Sequence, residues 1–477
     1  MSDLNAVFDV IVLGGGPAGS RAAIAAAATG LRVALVDENP AAGGQVYRAP
    51  IDGITPAPSA DQAAGDALRQ ELAASPVSTF FGHAVWAVTG NYRIDATGPK
   101  GPLQCSARAL IVASGTTERV VPFEGWTTPG VIGLAAATIL LKSQHMLPGR
   151  STLVAGCGPL LAAVAAKTTE AGGKVEAIVD LASNADWLRT VPSMFGRPDM
   201  LKQGFKWWRA IRRTATPRHA RHTIVRVEPV GDRLRATLAP CDIAGRPIAG
   251  NRKTVLADCV AVGHGLTPST DITRLLRAEH HYSRAAGGWI ATADDQGRTS
   301  RPLLFVAGDG AGIAGAAAAA SHGTLAGLAC AHDLGVAHAS GGDRFQALRD
   351  AHRSASRLGH AMAGLMALRP GHVDSIAPTT IVCRCEDVTR AEIDAACDAG
   401  ASDVNQLKAW TRCGMGPCQG RTCGDVAAEL LMLRRGTDRR ESVGCFSART
   451  PLRPVTVEAL TGQFSYSDIP IPKAAPL

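Results

Sequence analysis

This 477-residue sequence is poor in aromatic side chains, with 10 Phe, 7 Trp and only 4 Tyr, at 47, 92, 282 and 466. So few tyrosines leave little material for an Arg–Tyr clamp on a substrate carboxylate. No Ser-His-Asp or HExxH pattern is present, which removes the common hydrolase and zinc-protease chemistries. His264, His322 and His352 lie in small-residue or helical contexts and read as packing or surface residues. No uninterrupted apolar run approaches the roughly 18 residues a membrane span needs. The opening MSDLNAVFDVIVLGGG lacks a basic segment followed by a small-residue cleavage site, so the expected location is the cytoplasm, with peripheral association at the inner face of the membrane as an extension. In that reducing compartment disulfides are not expected, and clustered cysteines point to metal or redox work.

What is abundant is glycine (52 residues, about 11% against a usual 7% or so) and cysteine, of which seven of twelve fall between 383 and 445. The net charge of +8 is local as well: residues 197–222 carry eight Lys/Arg against one Asp. A charge so confined argues against a nucleic-acid partner. The segment, with Trp207 and Trp208 among its bases, reads as a solvated basic helix, a docking face for a partner subunit or an anchor to anionic lipid.

The expected fold class is α/β, with two interleaved Rossmann-like dinucleotide-binding domains and a small C-terminal domain. Residues 8–39 alternate strand, small-residue helix and strand, and 151–180 repeat the unit, implying parallel sheets. The first loop reads Gly14-Gly15-Gly16-Pro17-Ala18-Gly19. Gly14 permits the tight turn, Gly16 lets the backbone meet a pyrophosphate, and Gly19 lets helix and strand approach. Asp37, with Glu38 beside it, stands where a ribose-binding acid belongs. The second loop, Gly156-Cys157-Gly158-Pro159-Leu160-Leu161, keeps two glycines, and Asp180 ends its next strand. NAD or another adenine nucleotide is the candidate ligand there, a structural relic the alternative. Cys157 lacks a CxxC partner and reads as a small buried residue.

Residues 302–327, with Gly308 and Asp309, resemble the second flavin fingerprint of two-dinucleotide flavoproteins, in which the aspartate binds the ribityl chain of FAD. Gly43-Gly44-Gln45 resembles the turn beside the flavin in relatives of thioredoxin reductase. Cys383-x-Cys385, followed after 32 residues by Cys418 and after four more by Cys423, offers four thiolates in two pairs. A 2Fe–2S cluster or zinc would suit them, and C-x-C spacing is tight for zinc. Cys413 is an alternative member of the second pair; Cys397 and Cys445 read as structural, and Cys105, Cys241, Cys259 and Cys330 as unremarkable.

CRCEDVTRAEI followed by NQLKAWTRCGMGPCQGRTCG resembles the bacterioferritin-associated-ferredoxin type of 2Fe–2S domain. GGGPAG, GGQVYR, GWTTPGV and VAGDGAGIAG resemble the flavoproteins to which it is fused: the α subunits of opine oxidase, hydrogen cyanide synthase and (D-hydroxy)proline dehydrogenases. Ser114 departs mildly from that pattern, where threonine is commoner. The resemblance implies FAD at Gly14, Gly16, Gly19, Asp37 and Asp309, and a cluster on Cys383, Cys385, Cys418 and Cys423. It also implies an FAD-containing β subunit of the D-amino-acid-oxidase-like class, in some relatives a small 2Fe–2S γ subunit, an amine or amino-acid substrate, and a quinone or other electron acceptor. The alternative is a self-sufficient NAD(P)H-dependent flavin/iron–sulfur reductase. The expected domains are 1–125 with 255–335 (FAD), 126–254 (second nucleotide), 336–380 (helical linker), 381–448 (cluster) and 449–477 (extended tail).

Overall fold

The computed structural model describes residues 6–51, 53, 59–99, 101–194, 197–336 and 342–461; the expected tail lies outside the described residues from 462 onward. The first sheet is built on the apolar strand Ala6–Leu13, whose Val10, Ile11 and Val12 are fully buried. Ser78–Phe81, Val33–Asp37, Ala6–Leu13 and Gly101–Val112 run parallel in that order, Leu304–Val306 adds in parallel to Gly101–Val112, and an antiparallel meander, Arg93–Gly98 and Ala84–Thr89, extends the other edge. Helix Pro17–Ala27 covers one face and packs on Ala316–Asp333. Small residues set that distance. A Cβ at Gly323 would sit 2.0 Å from Ala18 O, and one at Gly327 2.4 Å from Ala22 O, so the helices touch backbone to backbone.

The second sheet is wholly parallel, in the order Arg218–Ala220, Lys174–Asp180, Ser151–Gly156, Cys259–Gly263, Val131–Gly133. This corrects the expected boundary at 254/255. Strand Cys259–Gly263 belongs to the second sheet, because it pairs with Ser151–Gly156 through Val262 opposite Ala155. A three-stranded antiparallel sheet, His222–Val230, Arg233–Pro240 and Lys253–Ala257, packs behind it and shares its core.

Residues expected to be a linker are packed structure. Helix Gly342–Leu365 lies along Ala316–Asp333, and a Cβ at Gly359 would meet Ala314 O at 1.8 Å. Beyond it Leu368, Val373 and Ile376 are buried in the core of the cysteine module, together with Val121 from the nucleotide-binding body. The module continues with a short hairpin, Ile381–Cys383 and Val388–Thr389, and helices Arg390–Asp398, Val404–Thr411 and Gly424–Arg434. Thr389 and Glu392 form a reciprocal capping box at the start of the first of these helices.

Candidate nucleotide sites and cysteine centre

The first loop has the geometry its glycines require. Gly14 holds φ +102°, where a Cβ would strike Ala113 O at 2.4 Å, and a Cβ at Gly19 would lie 1.7 Å from Gly14 O. Helix Pro17–Ala27 starts at Gly16 with no side-chain cap, so its first amides are free for an anion. Pro17 occupies the first turn and Ala18 packs beneath Gly308. Asp37 is buried at the end of its strand and accepts from Gly15 N, from Asn39 N at 2.6 Å and from Asn39 Nδ2 at 2.8 Å. Glu38 is exposed and pairs with Arg453 at 3.0 Å. Gly44 folds onto Gly16, leaving 2.9 Å between a hypothetical Cβ and Gly16 Cα, while Gln45 is exposed and accepts from Arg48. Asp309 caps the entry to helix Ala316–Asp333, accepting from Ala314 N at 2.9 Å and Gly315 N at 2.8 Å; burial pushes its carboxyl up from the ordinary value. An uncapped helix end, a bare glycine turn and two acids at the expected strand ends fit a dinucleotide such as FAD.

Three histidines stand beside this site: His322 and His352, which read as packing or surface residues, and His360. His322, His352 and His360 line a cavity of about 150 Å³ that reaches Gly308 and Ala314. His322 Nδ1 accepts from Gly308 N at 3.2 Å, so its proton is on Nε2, which is buried and has no hydrogen-bond partner among the described residues. Burial holds its pKa down at about 4. One residue comes from the fingerprint helix and two from Gly342–Leu365, so no sequence spacing links them. His264 is a packing residue, as expected: its Nδ1 accepts from Val121 N, and its ring meets His372 edge-on.

The second loop is occupied by the chain's own side chains. Gly156 and Gly158 have positive φ, as the turn requires. The space above Gly158 is filled by Met366, whose Cγ and Sδ lie 2.5 Å from where a Cβ would stand. Met366 is buried there with Cys157, Leu181 and Cys241. Asp180 is also committed: it pairs with Arg218 at 2.7 Å, accepts from Trp187 Nε1 at 2.8 Å and from Ala182 N at 2.9 Å, and is 2% exposed. Of the two readings of Gly156, Gly158 and Asp180, the geometry favours the structural relic: Met366 stands over Gly158, and the Arg218 guanidinium neutralises Asp180.

The cysteine centre brings two of the four expected ligands, Cys383 and Cys423, together with Cys413, the alternative member of the second pair. The Sγ atoms of Cys383, Cys413 and Cys423 all lie within 4.8 Å of one another, buried, with Cys413 and Cys423 3.8 Å apart. Cys385 and Cys418 are hydrogen-bonding neighbours at the less buried edge. The thiols of Cys413 and Cys423, with amides of Gly414 and Glu386, hold Cys383 down at about 2, as a thiolate. Its charge helps push the other two thiols up. Three crowded sulfurs cannot all ionise without a cation among them, which is the condition an iron or zinc centre meets. Close packing keeps the loop tight. A Cβ at Gly416 would strike Cys385 Cβ at 2.3 Å, and Gly414 and Gly420 hold positive φ under the ring of Phe446. The residues fit a thiolate-bound cluster. Cys397 and Cys445 stand outside the three-sulfur group, and so do Cys385 and Cys418 of the expected ligand set.

A buried ionic lattice locks this centre to the nucleotide-binding body. Arg119 pairs with Asp425 at 2.7 Å, Arg440 with Asp425 at 2.8 Å, and Arg284 with Glu429 at 2.9 Å. Trp126 Nε1 donates to Ile381 O at 2.7 Å, next to the C-x-C pair.

Comparison with known proteins agrees with this architecture. Residues 8–323 match the pyridine nucleotide-disulphide oxidoreductase family, and 377–463 the sarcosine oxidase A3 domain. The chain is 32% identical to the opine oxidase A subunit of Agrobacterium tumefaciens, over 96% of this chain and 92% of that one. It is 31% identical to the hydrogen cyanide synthase subunit HcnB of Pseudomonas aeruginosa, over 94% and 97%. Among solved structures it is similar in fold to an L-proline dehydrogenase from P. horikoshii, with TM-score 0.70 and 18% identity over 96% of this chain and 80% of that one. The chain belongs to the pyridine nucleotide-disulphide oxidoreductase family, in the group that holds the opine oxidase A subunits and the hydrogen cyanide synthase HcnB subunits.

Proposed function

We propose that this chain is the electron-transferring subunit of a heteromeric, flavin-dependent dehydrogenase or oxidase of amines or amino acids. The observation that carries the reading is the group of three buried sulfurs, Cys383, Cys413 and Cys423, fused through a shared core to a body with one open dinucleotide loop. When bound, FAD at the first loop would take up an electron pair, and a 2Fe–2S cluster on the thiolates would pass electrons on singly. The chain's own residues have narrower tasks. Gly14, Gly16 and Gly19 with the helix end at Pro17 would hold a pyrophosphate, Asp37 and Asp309 would orient sugar hydroxyls, and Cys383, Cys385, Cys418 and Cys423, with Cys413 adjoining, would hold the metal.

Substrate oxidation is assigned to a partner: an FAD-containing β subunit of the D-amino-acid-oxidase-like class, accompanied in some assemblies by a small 2Fe–2S γ subunit. That relatives carry subunit names supports a heteromer. A quinone fits as the final acceptor. The scarcity of tyrosine disfavours amino-acid oxidation on this chain, and the occupied second loop disfavours a self-sufficient NAD(P)H reductase. The test is to purify the chain alone and measure flavin, iron and turnover. Stoichiometric flavin and iron without amino-acid oxidation is expected; robust oxidation by the single chain would overturn the reading.

A further inference from the structure

Helix Pro198–Arg213 has its apolar stripe on the outside. Its inner face, with Gln203, Trp207, Ala210 and Ile211 partly covered, rests on Pro159–Glu170, and Ile211 reaches the core there. The outer face carries Leu201, Phe205 and Trp208, spaced four and three residues apart and 42%, 62% and 51% exposed. Phe205 and Trp208 stack with ring centroids 5.8 Å apart, and the Arg212 guanidinium lies 4.7 Å over the indole. Lys202, Lys206, Arg209, Arg212 and Arg213 flank the stripe, all exposed. Asp199, the helix's one acid, is held by Arg197 at 2.6 Å, and the ion pair of Lys206, with Glu170 at 3.8 Å, is loose.

We propose that this helix seats the protein on the surface of an anionic phospholipid bilayer. Large aromatics ordered on a solvent-facing helix, flanked by bases and no free acid, match the headgroup boundary. There the rings enter the acyl edge and the ammonium and guanidinium groups meet lipid phosphates. A protein partner is the weaker match: five exposed bases flank the stripe, and charged residues are depleted at the core of protein interfaces. No helix among the described residues is long and apolar enough to cross a membrane, so the attachment is peripheral. The proposal does not depend on the electron route, and its readout is independent of turnover.

The test is sedimentation of the full chain with vesicles of phosphatidylcholine, with and without phosphatidylglycerol. Binding only to the anionic vesicles is expected, weakened by salt, with a blue shift of tryptophan emission. Each charge reversal among Lys202, Lys206 and Arg209 should weaken partition by about fivefold or more. Phe205→Ser with Trp208→Ser should abolish the spectral shift, while flavin and iron content stay at wild-type level in every variant. Failure of the wild-type chain to bind anionic vesicles would overturn the proposal. So would variants that bind as wild type does, or binding to zwitterionic vesicles that is equally strong.

Discussion

Glu118 shows what one enclosed side chain does to the stability of this fold. Its carboxylate lies under helix Leu134–Ser143, which starts at Gly133 without a side-chain cap, and it accepts from Ala135 N at 2.9 Å. Burial pushes its pKa up to about 7, against 4.5 for a free glutamate. The folded state therefore holds a proton that the unfolded chain releases between those values. The stability it contributes is complete below pH 4.5, falls as pH rises to 7, and is flat beyond. Glu118→Gln keeps an acceptor and removes the ionisation. It should match the wild type at pH 4.5 and gain on the order of 2 kcal/mol at pH 8, read by denaturant unfolding at both values; equal midpoints at pH 8 would refute this account. At the cysteine centre, Cys383→Ser should lose nearly all bound iron, while Cys397→Ser, outside the three-sulfur group, should keep it. Iron content and visible absorbance decide between them.

At the scale of elements, contacts between helices are made by the absence of side chains. Gly323 lets Ala316–Asp333 touch Pro17–Ala27 at Ala18 O, directly under the first loop. Gly323→Val would force those helices apart. A cost of about 1–3 kcal/mol is expected, together with weaker flavin retention, measured by thermal unfolding and by flavin released on gel filtration. The ionic lattice is the other inter-element device. Arg119→Met leaves Asp425 buried with Arg440 as its remaining partner, and removing one member of a buried pair costs about 3–5 kcal/mol. The unfolding midpoint should fall accordingly.

Across the whole molecule, Val121, Leu368 and the cysteine module share one core, and helix Gly342–Leu365 spans from the flavin fingerprint to the second loop. The module is therefore not expected to fold alone: residues 377–461 expressed by themselves should be insoluble or lack dispersed NMR signals, and the intact chain should unfold in one transition. Much of this architecture was legible beforehand. Both parallel units, the first loop with Gly14, Gly16 and Gly19, and the concentration of thiols after 380 rest on local patterns. The boundary near 255 was misplaced, because strand Cys259–Gly263 reads equally well as a member of either sheet until its pairing is known. The expected helical linker 336–380 was misjudged at its end, because Leu368, Val373 and Ile376 are core and only their tertiary neighbours show it.

The division follows from physics. A tight turn with φ +102° needs glycine whatever surrounds it, and closely spaced thiols advertise metal chemistry from the chain alone, so the fold class and the existence of two candidate sites were determined by sequence. Which sites are open was decided by contacts between residues far apart in the chain. Met366 covers Gly158 from 208 positions away. Arg218 takes Asp180, and Cys413 joins Cys383 because two loops meet. Such contacts depend on where whole elements pack, and a pattern of neighbouring residues carries no information about that.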